Sequence, residues 1–372
     1  KIEDFISFNV RPLLNYVFFD ENSSKLSTRY KQINQTEAQN FTNKNLQNLD
    51  PLETYYQVLN IYGFRLSQDQ SEQLTLVGTN SNLGPELNNL ELSKNRALEI
   101  KKYLVNIWNI DSNRIKIESR NLPRQASRSD TLTGVEENRR VEFISSELVS
   151  GSVQTVDTLR KISQTTIRFK PDIESEAGIK NWNLIVKQNN NTLKQFQGND
   201  FPNSNLDWSL NSDTKNIPVS SEQIEYRLEV SDSVGQKYNT KVKNIPIDKL
   251  TIDRKRLERK ADKEYEYYSL ILFQYGRFDL GNKHKKTVDF VKSRISNNSK
   301  VTIIGHTDKI GDENINKRIS LNRATAVAKR LKIPNAIVIG SGESNILFDN
   351  NLPEGRFYCR TVRIEVETKV EN

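Results

Sequence analysis

Apolar positions recur along this chain at two spacings, and the spacing changes twice. Apolar or small side chains stand three and four apart at residues 90, 93, 97, 100, 104 and 107, and again at 320, 324, 327, 328 and 331. That is the period of one buried helical stripe, so a helix is predicted over each segment. A short apolar run and a Gly- or Asn-bearing turn precede each one, "QLTLVGTNSNLG" at 73–84 and "KVTIIGHTDKIG" at 300–311. A second helix-to-strand passage follows each, ending in a basic strand, "ENRRVEF" at 137–143 and "YCRTVRIEV" at 358–366. The opening strands correspond loosely, "NYVFFDENSSKL" at 15–26 with "LILFQYGRFDL" at 270–280. Between residues 150 and 250 the helical period disappears. Short alternating runs such as "TTIRFKPD", "WNLIVKQ" and "IEYRLEVSD" are separated there by Asn, Gly, Pro and Asp clusters. Strands at that spacing predict an antiparallel sandwich, with Trp182, Trp208 and Tyr226 as core aromatics.

The two helical segments are copies of one unit. "NLELSKNRA" at 89–97 aligns with "NKRISLNRA" at 316–324 at a constant offset of 227, so Asn89 matches Asn316 and Arg96 matches Arg323. Two βαβαββ-type units around a β-sandwich is the economical reading, an α+β architecture. The expected boundaries are 8–148 for the first unit, 150–250 for the sandwich, 251–264 for a charged linker and 265–368 for the second unit. Residues 28–50, rich in Asn, Gln and Thr, read as an insertion that covers or replaces part of the first unit's pocket.

Composition narrows the function. Hydrophobic residues make up 35% of the chain and charged residues 27%, which favours small separate cores. No run reaches the roughly 18 apolar residues of a membrane helix. The chain opens on Lys1 and contains no Met, so it reads as a processed or excised piece, with any membrane association supplied by an upstream region. The net charge of +8 is spread among 47 acidic residues, and without a block of cations nucleic acid is not expected as a partner. One cysteine and two histidines are too few for a metal centre or a disulfide framework. No nucleophile elbow, phosphate-binding loop or dinucleotide fingerprint is present. The chain reads as a non-enzyme, with no catalytic residues, metal or cofactor.

What remains is a pair of opposite charges. Asp308 in the turn and Arg323 in the helix stand 15 residues apart. Seven residues separate Asn316 from Arg323, so both lie within about 20° on the helix and border its buried stripe. Arg323 can therefore aim its head toward the turn. The pair either ties helix to loop by bonding to itself or forms two jaws for a ligand carrying both charges.

The segment "GHTDKIGDENINKRISLNRATAV" at 305–327 resembles the motif of the OmpA-like C-terminal domain, shared by peptidoglycan-associated lipoproteins and flagellar stator B subunits. It matches the pattern G-H-T-D-x-x-G-x-x-x-x-N-x-x-L-S-x-x-R-A-x-x-V except for Ile319 at the Leu position. The resemblance implies a non-catalytic βαβαββ sandwich that binds the diaminopimelate of peptidoglycan stem peptides. It implies that Asp308 meets the ligand ammonium and Arg323 its carboxylate, while Thr307 and Asn316 shape the turn. A planar guanidinium suits a carboxylate because it can bond bidentately.

In the first copy Asn80 is read at the place of the acid, with one extra residue before Gly84. Asn80, Asn89 and Arg96 are thus expected to form a vestigial site. The middle module resembles bacterial immunoglobulin-like spacer domains through its "W-x-L-x-V … Y-x-L-x-V-x-D-x-x-G" layout. Together these resemblances imply a periplasmic or outer-membrane-associated protein of a diderm bacterium, anchoring an upstream region to peptidoglycan. The alternative is a scaffold subunit of a motor or secretion machine, using these folds for contacts with other envelope proteins.

Overall fold

A computed structural model of the chain describes residues 1–210, 216–258, 260–270 and 278–370. The expected opening strand of the second copy, 270–280, lies largely outside the described residues. Two compact units emerge: Ser7–Asp157 with Lys263–Lys369, and Lys1–Ile6 with Thr158–Asp262 and the chain end from Val370. The sequence predicts three bodies in a row. The contacts instead gather both repeat copies into one unit.

The first copy comprises β1 (Tyr16–Phe18), α1 (Val58–Gln68), β2 (Leu74–Gly78), α2 (Leu90–Trp108), β3 (Ile115–Ser119), α3 (Leu132–Asn138) and β4 (Arg140–Ile144). The second comprises β5 (Asp262–Leu270), α4 (Asn282–Arg294), β6 (Ser299–His306), α5 (Glu313–Leu331), β7 (Ile337–Gly342), α6 (Pro353–Cys359) and β8 (Val362–Val370). Strand order is β1-β4-β2-β3 in one and β5-β8-β6-β7 in the other. The central pairs β2–β3 and β6–β7 are parallel, and the last strand of each copy runs antiparallel to the pair. One topology is thus built twice.

The repeat extends to a backbone crossing. A Cβ on Gly78 would lie 1.8 Å from the Ser93 carbonyl oxygen, and one on Gly305 would lie 1.9 Å from that of Ser320. Strand end and helix backbone touch there, which only glycine permits. Both crossings span 15 residues, which fixes the alignment at the offset of 227.

The helical stripes bury Ser93, Ala97, Ile100 and Leu104 of α2, and Ser320, Ala324, Val327 and Leu331 of α5. In α2 the buried face is broader than the expected stripe: Leu90 is exposed, while Leu92, Arg96, Tyr103 and Trp108 are buried as well. The cores around the two stripes are distinct clusters, but Phe357 and Tyr358 of α6 belong to that of the first copy. Phe357 stacks on Phe18 at 5.7 Å, and Tyr358 donates its hydroxyl to the Pro12 carbonyl at 3.1 Å.

Residues 28–50 do not cover a pocket. Tyr30, Ala38, Phe41 and Leu46 enter the first copy's core, and capping boxes at Asn34 and Thr42 organise the short helical turns between them.

In the other unit, strand Thr166–Phe169 pairs with Leu206–Ser209. A second antiparallel sheet carries Ile179–Gln188, Asn191–Gly198 and Ile224–Asp232. Phe169, Trp182, Leu184, Trp208 and Ile224 share one core between the sheets, with Tyr226 packed against it. The expected linker at 251–264 is instead structured. Ile252–Leu257 is helical, and Lys255 is fully buried on Phe5 and bonded to Asp262 at 2.7 Å. Lysine can snorkel in this way only when its ammonium finds acceptors.

Candidate functional site

In the second copy, β6 delivers the turn to the start of α5. Thr307 closes it by donating its N–H to the Gly342 carbonyl at 3.0 Å. Gly311 holds φ +108°, and the Asp312 side chain caps the helix by accepting from the Ile315 N–H at 3.0 Å. Asn316 Nδ2 donates to the carbonyls of Asp308 and Ile310 at 3.3 and 3.2 Å, and to Glu343 Oε2 at 2.6 Å. Asn316 thereby ties the turn to the first turns of α5. Arg323 lies along the core edge and donates from NH1 to the His306 carbonyl at 3.4 Å. Thr307, Asp308, Asn316 and Arg323 all line one cavity of about 430 Å³.

The described ion pair of Asp308 is with Arg360, whose Nε donates to Oδ2 at 2.6 Å. The carboxylate keeps other lone pairs, since it can accept roughly four hydrogen bonds. Burial and the nearby Arg360 pull the Arg323 guanidinium down to about 10, and Asp308 offsets only part of that. Burial is the larger cause of that lowering, because a low-dielectric site disfavours the charged form. The Thr307 hydroxyl is buried without a hydrogen-bond partner among the described residues.

Burial and Arg363 lower His306 to about 4. Its unfolded value lies near 6.5, so the unfolded chain binds the extra proton between those limits. The stability that comes from keeping this ring neutral is complete above pH 6.5 and is lost as pH falls toward 4. Acidification over that window should cost the protein about 3 kcal/mol more than it costs His306→Gln. Urea melts of both proteins at stepped pH check this, and parallel curves would exclude the ring as the source.

Arg360 reaches further. NH2 and NH1 donate to Glu137 Oε1 and Oε2 at 2.6 and 3.1 Å, and Glu137 belongs to the first copy. Arg356 Nε also donates to Glu137 Oε1 at 3.0 Å, and Ser127 Oγ to Oε2 at 2.6 Å. Burial would raise the Glu137 carboxyl, but Arg360, Ser127 and Arg356 outweigh it and hold it below the usual range. For Arg360 burial works downward, and Glu137 and Asp308 raise it well above its ordinary value. One buried carboxylate thus serves two guanidiniums, and one of these continues to Asp308.

The first copy solves the same problem internally. Arg96 is wholly buried and donates to the carbonyls of Ser23, Thr79 and Asp20 at 2.8, 3.0 and 2.9 Å. Its NH2 also meets Glu86 Oε1 at 2.5 Å. Glu86 accepts in addition from the N–H groups of Asn22 and Ser81, both at 2.8 Å, and from Ser81 Oγ at 2.9 Å. Its counterpart at the offset of 227 is Glu313, exposed in the first turn of α5. Residues Gly84–Glu86 instead form a separate 3₁₀ turn, and α2 starts only at Leu90. The unwound turn folds Glu86 back over Arg96, and the two pair inside the first copy. Glu86→Gln should lower stability by about 2 kcal/mol, since neutral bonds replace charge-assisted ones. It should leave the second copy's cavity unaltered, and amide shifts around Thr307–Asn316 report on that.

The sequence reading of the first turn needs one correction. Glycine contacts align Gly78 with Gly305 and Gly84 with Gly311, so no residue is inserted. Asn80 corresponds to Thr307, and Ser81 to Asp308. Asn80 is a structural residue, donating to the Asn89 carbonyl at 2.8 Å and to Ser93 Oγ at 2.9 Å. Asn89 caps α2 by accepting from the Leu92 N–H at 3.0 Å. Of the expected vestigial site, only Arg96 occupies its place. Sequence reading assigned no role to Glu86, Glu137, Glu343 or Arg360. Arg360 and Arg139 each cap the short helix before the closing strand, and Arg139 Nε likewise lies near a buried carboxylate, 3.6 Å from Glu86 Oε2.

Comparison with known proteins places this geometry. The model of the OmpA family matches residues 18–139 and 272–360, together more than half of the chain. The chain belongs to the OmpA family. Within that family it is 34% identical over 93 residues to outer membrane porin F of Pseudomonas aeruginosa, an alignment covering 23% of this chain. The chain spans about a quarter of that porin's length. Solved structures with local similarity include the periplasmic domain of Helicobacter pylori MotB, at 17% identity and TM-score 0.25, covering 27% of this chain and 81% of that one. The peptidoglycan-associated lipoprotein of Burkholderia pseudomallei gives 15% and 0.24, covering 27% and 89%. The cell wall anchor of the type VI secretion system of Pseudomonas aeruginosa gives 19% and 0.25, covering 31% and 92%. The family match leaves residues 140–271 outside. Among the described residues no group of His, Cys, Asp and Glu could hold a metal ion, and no helix is long and apolar enough to cross a membrane.

Proposed function

We propose that this OmpA-family chain holds a component of the cell envelope to peptidoglycan without catalysing a reaction. The second copy binds the diaminopimelate of stem peptides, and the first copy does not. The observation that carries this reading is a single cavity bordered by both Asp308 and Arg323. Diaminopimelate presents an ammonium and a carboxylate on one carbon, and a zwitterion of that kind needs opposite charges on either side. The ammonium docks on the part of the Asp308 carboxylate not taken by Arg360. The carboxylate docks on Arg323, whose planar guanidinium suits it, and Thr307 lines the same cavity. Charge-assisted bonds of this type contribute roughly 1.5–3 kcal/mol each, so with backbone donors added the site is micromolar-scale at best. A wall offers the ligand many times over, so weak sites still hold.

The middle sandwich serves in this reading as an immunoglobulin-like spacer, in the periplasm of a diderm bacterium. The first copy favours a second role alongside: with Glu86 on Arg96 its fold is free to act as a protein-contact scaffold. The test is co-sedimentation of the full chain with purified diaminopimelate-type sacculi, competed by free meso-diaminopimelate. Binding that the free amino acid displaces supports the wall-anchor reading. A chain that stays in the supernatant leaves only the scaffold.

A further inference from the structure

Beside the cavity of Asp308 and Arg323 lies a second one of about 430 Å³, and the two share Ile310 and Arg360 as lining residues. Its walls come mostly from the first copy: Tyr16, Arg124, Arg128, Glu137 and Arg140. Four guanidiniums thus face one carboxylate. Three have carboxylates of their own: Arg128 bonds Asp130 at 2.9 Å, Arg140 bonds Glu142 at 2.7 Å, and Arg360 is held by Glu137 and Asp308. Arg124 is exposed and has no ion pair among the described residues. Glu137 cannot neutralise it, being already shared between Arg356 and Arg360. The second cavity is therefore cationic at its open edge, and Arg360 forms its boundary with the first.

We propose that the second cavity is an accessory subsite for the carboxylate of the residue next to diaminopimelate in an acidic stem peptide, with Arg124 meeting that carboxylate. This rests on the preceding reading of the first cavity. The glutamate joined to diaminopimelate through its side chain keeps a free α-carboxylate, so the ligand offers a second anion, set apart from the zwitterionic carbon by diaminopimelate's own carbon chain and the γ-amide. Two adjoining cavities that share Arg360 as a wall suit a ligand with two separated anionic groups. The copy whose own arginine is already paired then contributes to recognition as the second wall of its partner's groove.

The experiment titrates the full chain with free meso-diaminopimelate and with the tripeptide L-Ala-γ-D-Glu-meso-diaminopimelate, at low and at high salt. The intact protein should bind the tripeptide about tenfold more tightly than the free amino acid, with an advantage that shrinks as salt rises. Arg124→Ala should remove most of that advantage and Arg124→Glu all of it, both leaving the affinity for free diaminopimelate unchanged. A tripeptide advantage that survives in Arg124→Glu overturns the subsite while leaving the first cavity's role intact. So does an intact protein that binds both ligands equally. Failure of the intact protein to bind either one overturns both readings.

Discussion

Asp308→Asn should abolish co-sedimentation with sacculi while shifting the urea midpoint only slightly. The side chain keeps its shape, and Arg360 retains both oxygens of Glu137 when it loses Asp308, so the fold loses about 1–2 kcal/mol. The ligand ammonium loses the carboxylate proposed to oppose it, and the hydration it gives up on entry goes largely uncompensated. Binding should fall by at least tenfold, and multivalent retention on the wall more steeply. Arg323→Gln should behave alike from the other side. Its burial already depresses the guanidinium, so removing the charge relieves a cost as it removes bonds, and stability should change little. Arg323→Lys is the sharper variant, because it keeps the charge but replaces a planar fork by a point donor. It should recover only part of the binding. Normal pull-down by Asp308→Asn, or loss of pull-down that tracks unfolding, would show the pair to be structural.

The largest loss of stability should come from Glu137→Ala. Side-chain exposure of Glu137 and Arg356 is 2% each, and that of Arg360 is 7%. Removing one partner of a buried pair typically costs 3–5 kcal/mol, because an uncompensated charge is left behind. Here one carboxylate leaves two guanidiniums, of which Arg356 keeps Glu136 and Arg360 keeps Asp308, so the lower end of that range, about 3 kcal/mol, is expected in urea denaturation of the full chain. Molecules that remain folded should also bind sacculi less well, since Arg360 would then lean wholly on Asp308. Replacing the cluster with Glu137→Leu, Arg356→Met and Arg360→Leu together should recover most of the stability. Well-packed apolar groups commonly match or exceed a buried ionic triad. The triple variant separates charge from packing: if it is as unstable as Glu137→Ala, the loss came from shape.

The parts of this protein legible in its sequence are those governed by local periodicity and by the motif. The stripe of α5, the turn before it, and the meeting of Thr307, Asp308, Asn316 and Arg323 follow from residues 305–327 alone. That the two copies share one succession of strands and helices follows from the repeat. What escaped were contacts between residues more than two hundred positions apart, such as Glu137 with Arg356 and Arg360, to which no spacing rule applies. Glu86 escaped for another reason. It and Glu313 are the same residue at matching positions, and only the choice between a 3₁₀ turn and a helical turn sends one inward and the other to solvent. The slip at Asn80 came from seeking an acid's nearest polar substitute instead of counting between glycines. The segment at 251–264 misled through its mixed charges, which conceal one lysine with a buried ammonium.

The separation between Glu137 and its two arginines, 219 and 223 residues, also sets the order in which this molecule can be made. A ribosome releasing the first copy exposes a carboxylate whose partners have not yet been synthesised, and Phe18 and Tyr55 await the aromatic rings of α6. The intervening sandwich has its own core and can fold meanwhile. The first copy cannot reach its final state until nearly the whole chain has emerged. Such long-range closure is slow and leaves apolar surface open to wrong partners. Assembly in the cell is thereby tied to completion: a chain cut short after the sandwich would carry a first copy that is born incomplete and is open to proteolysis.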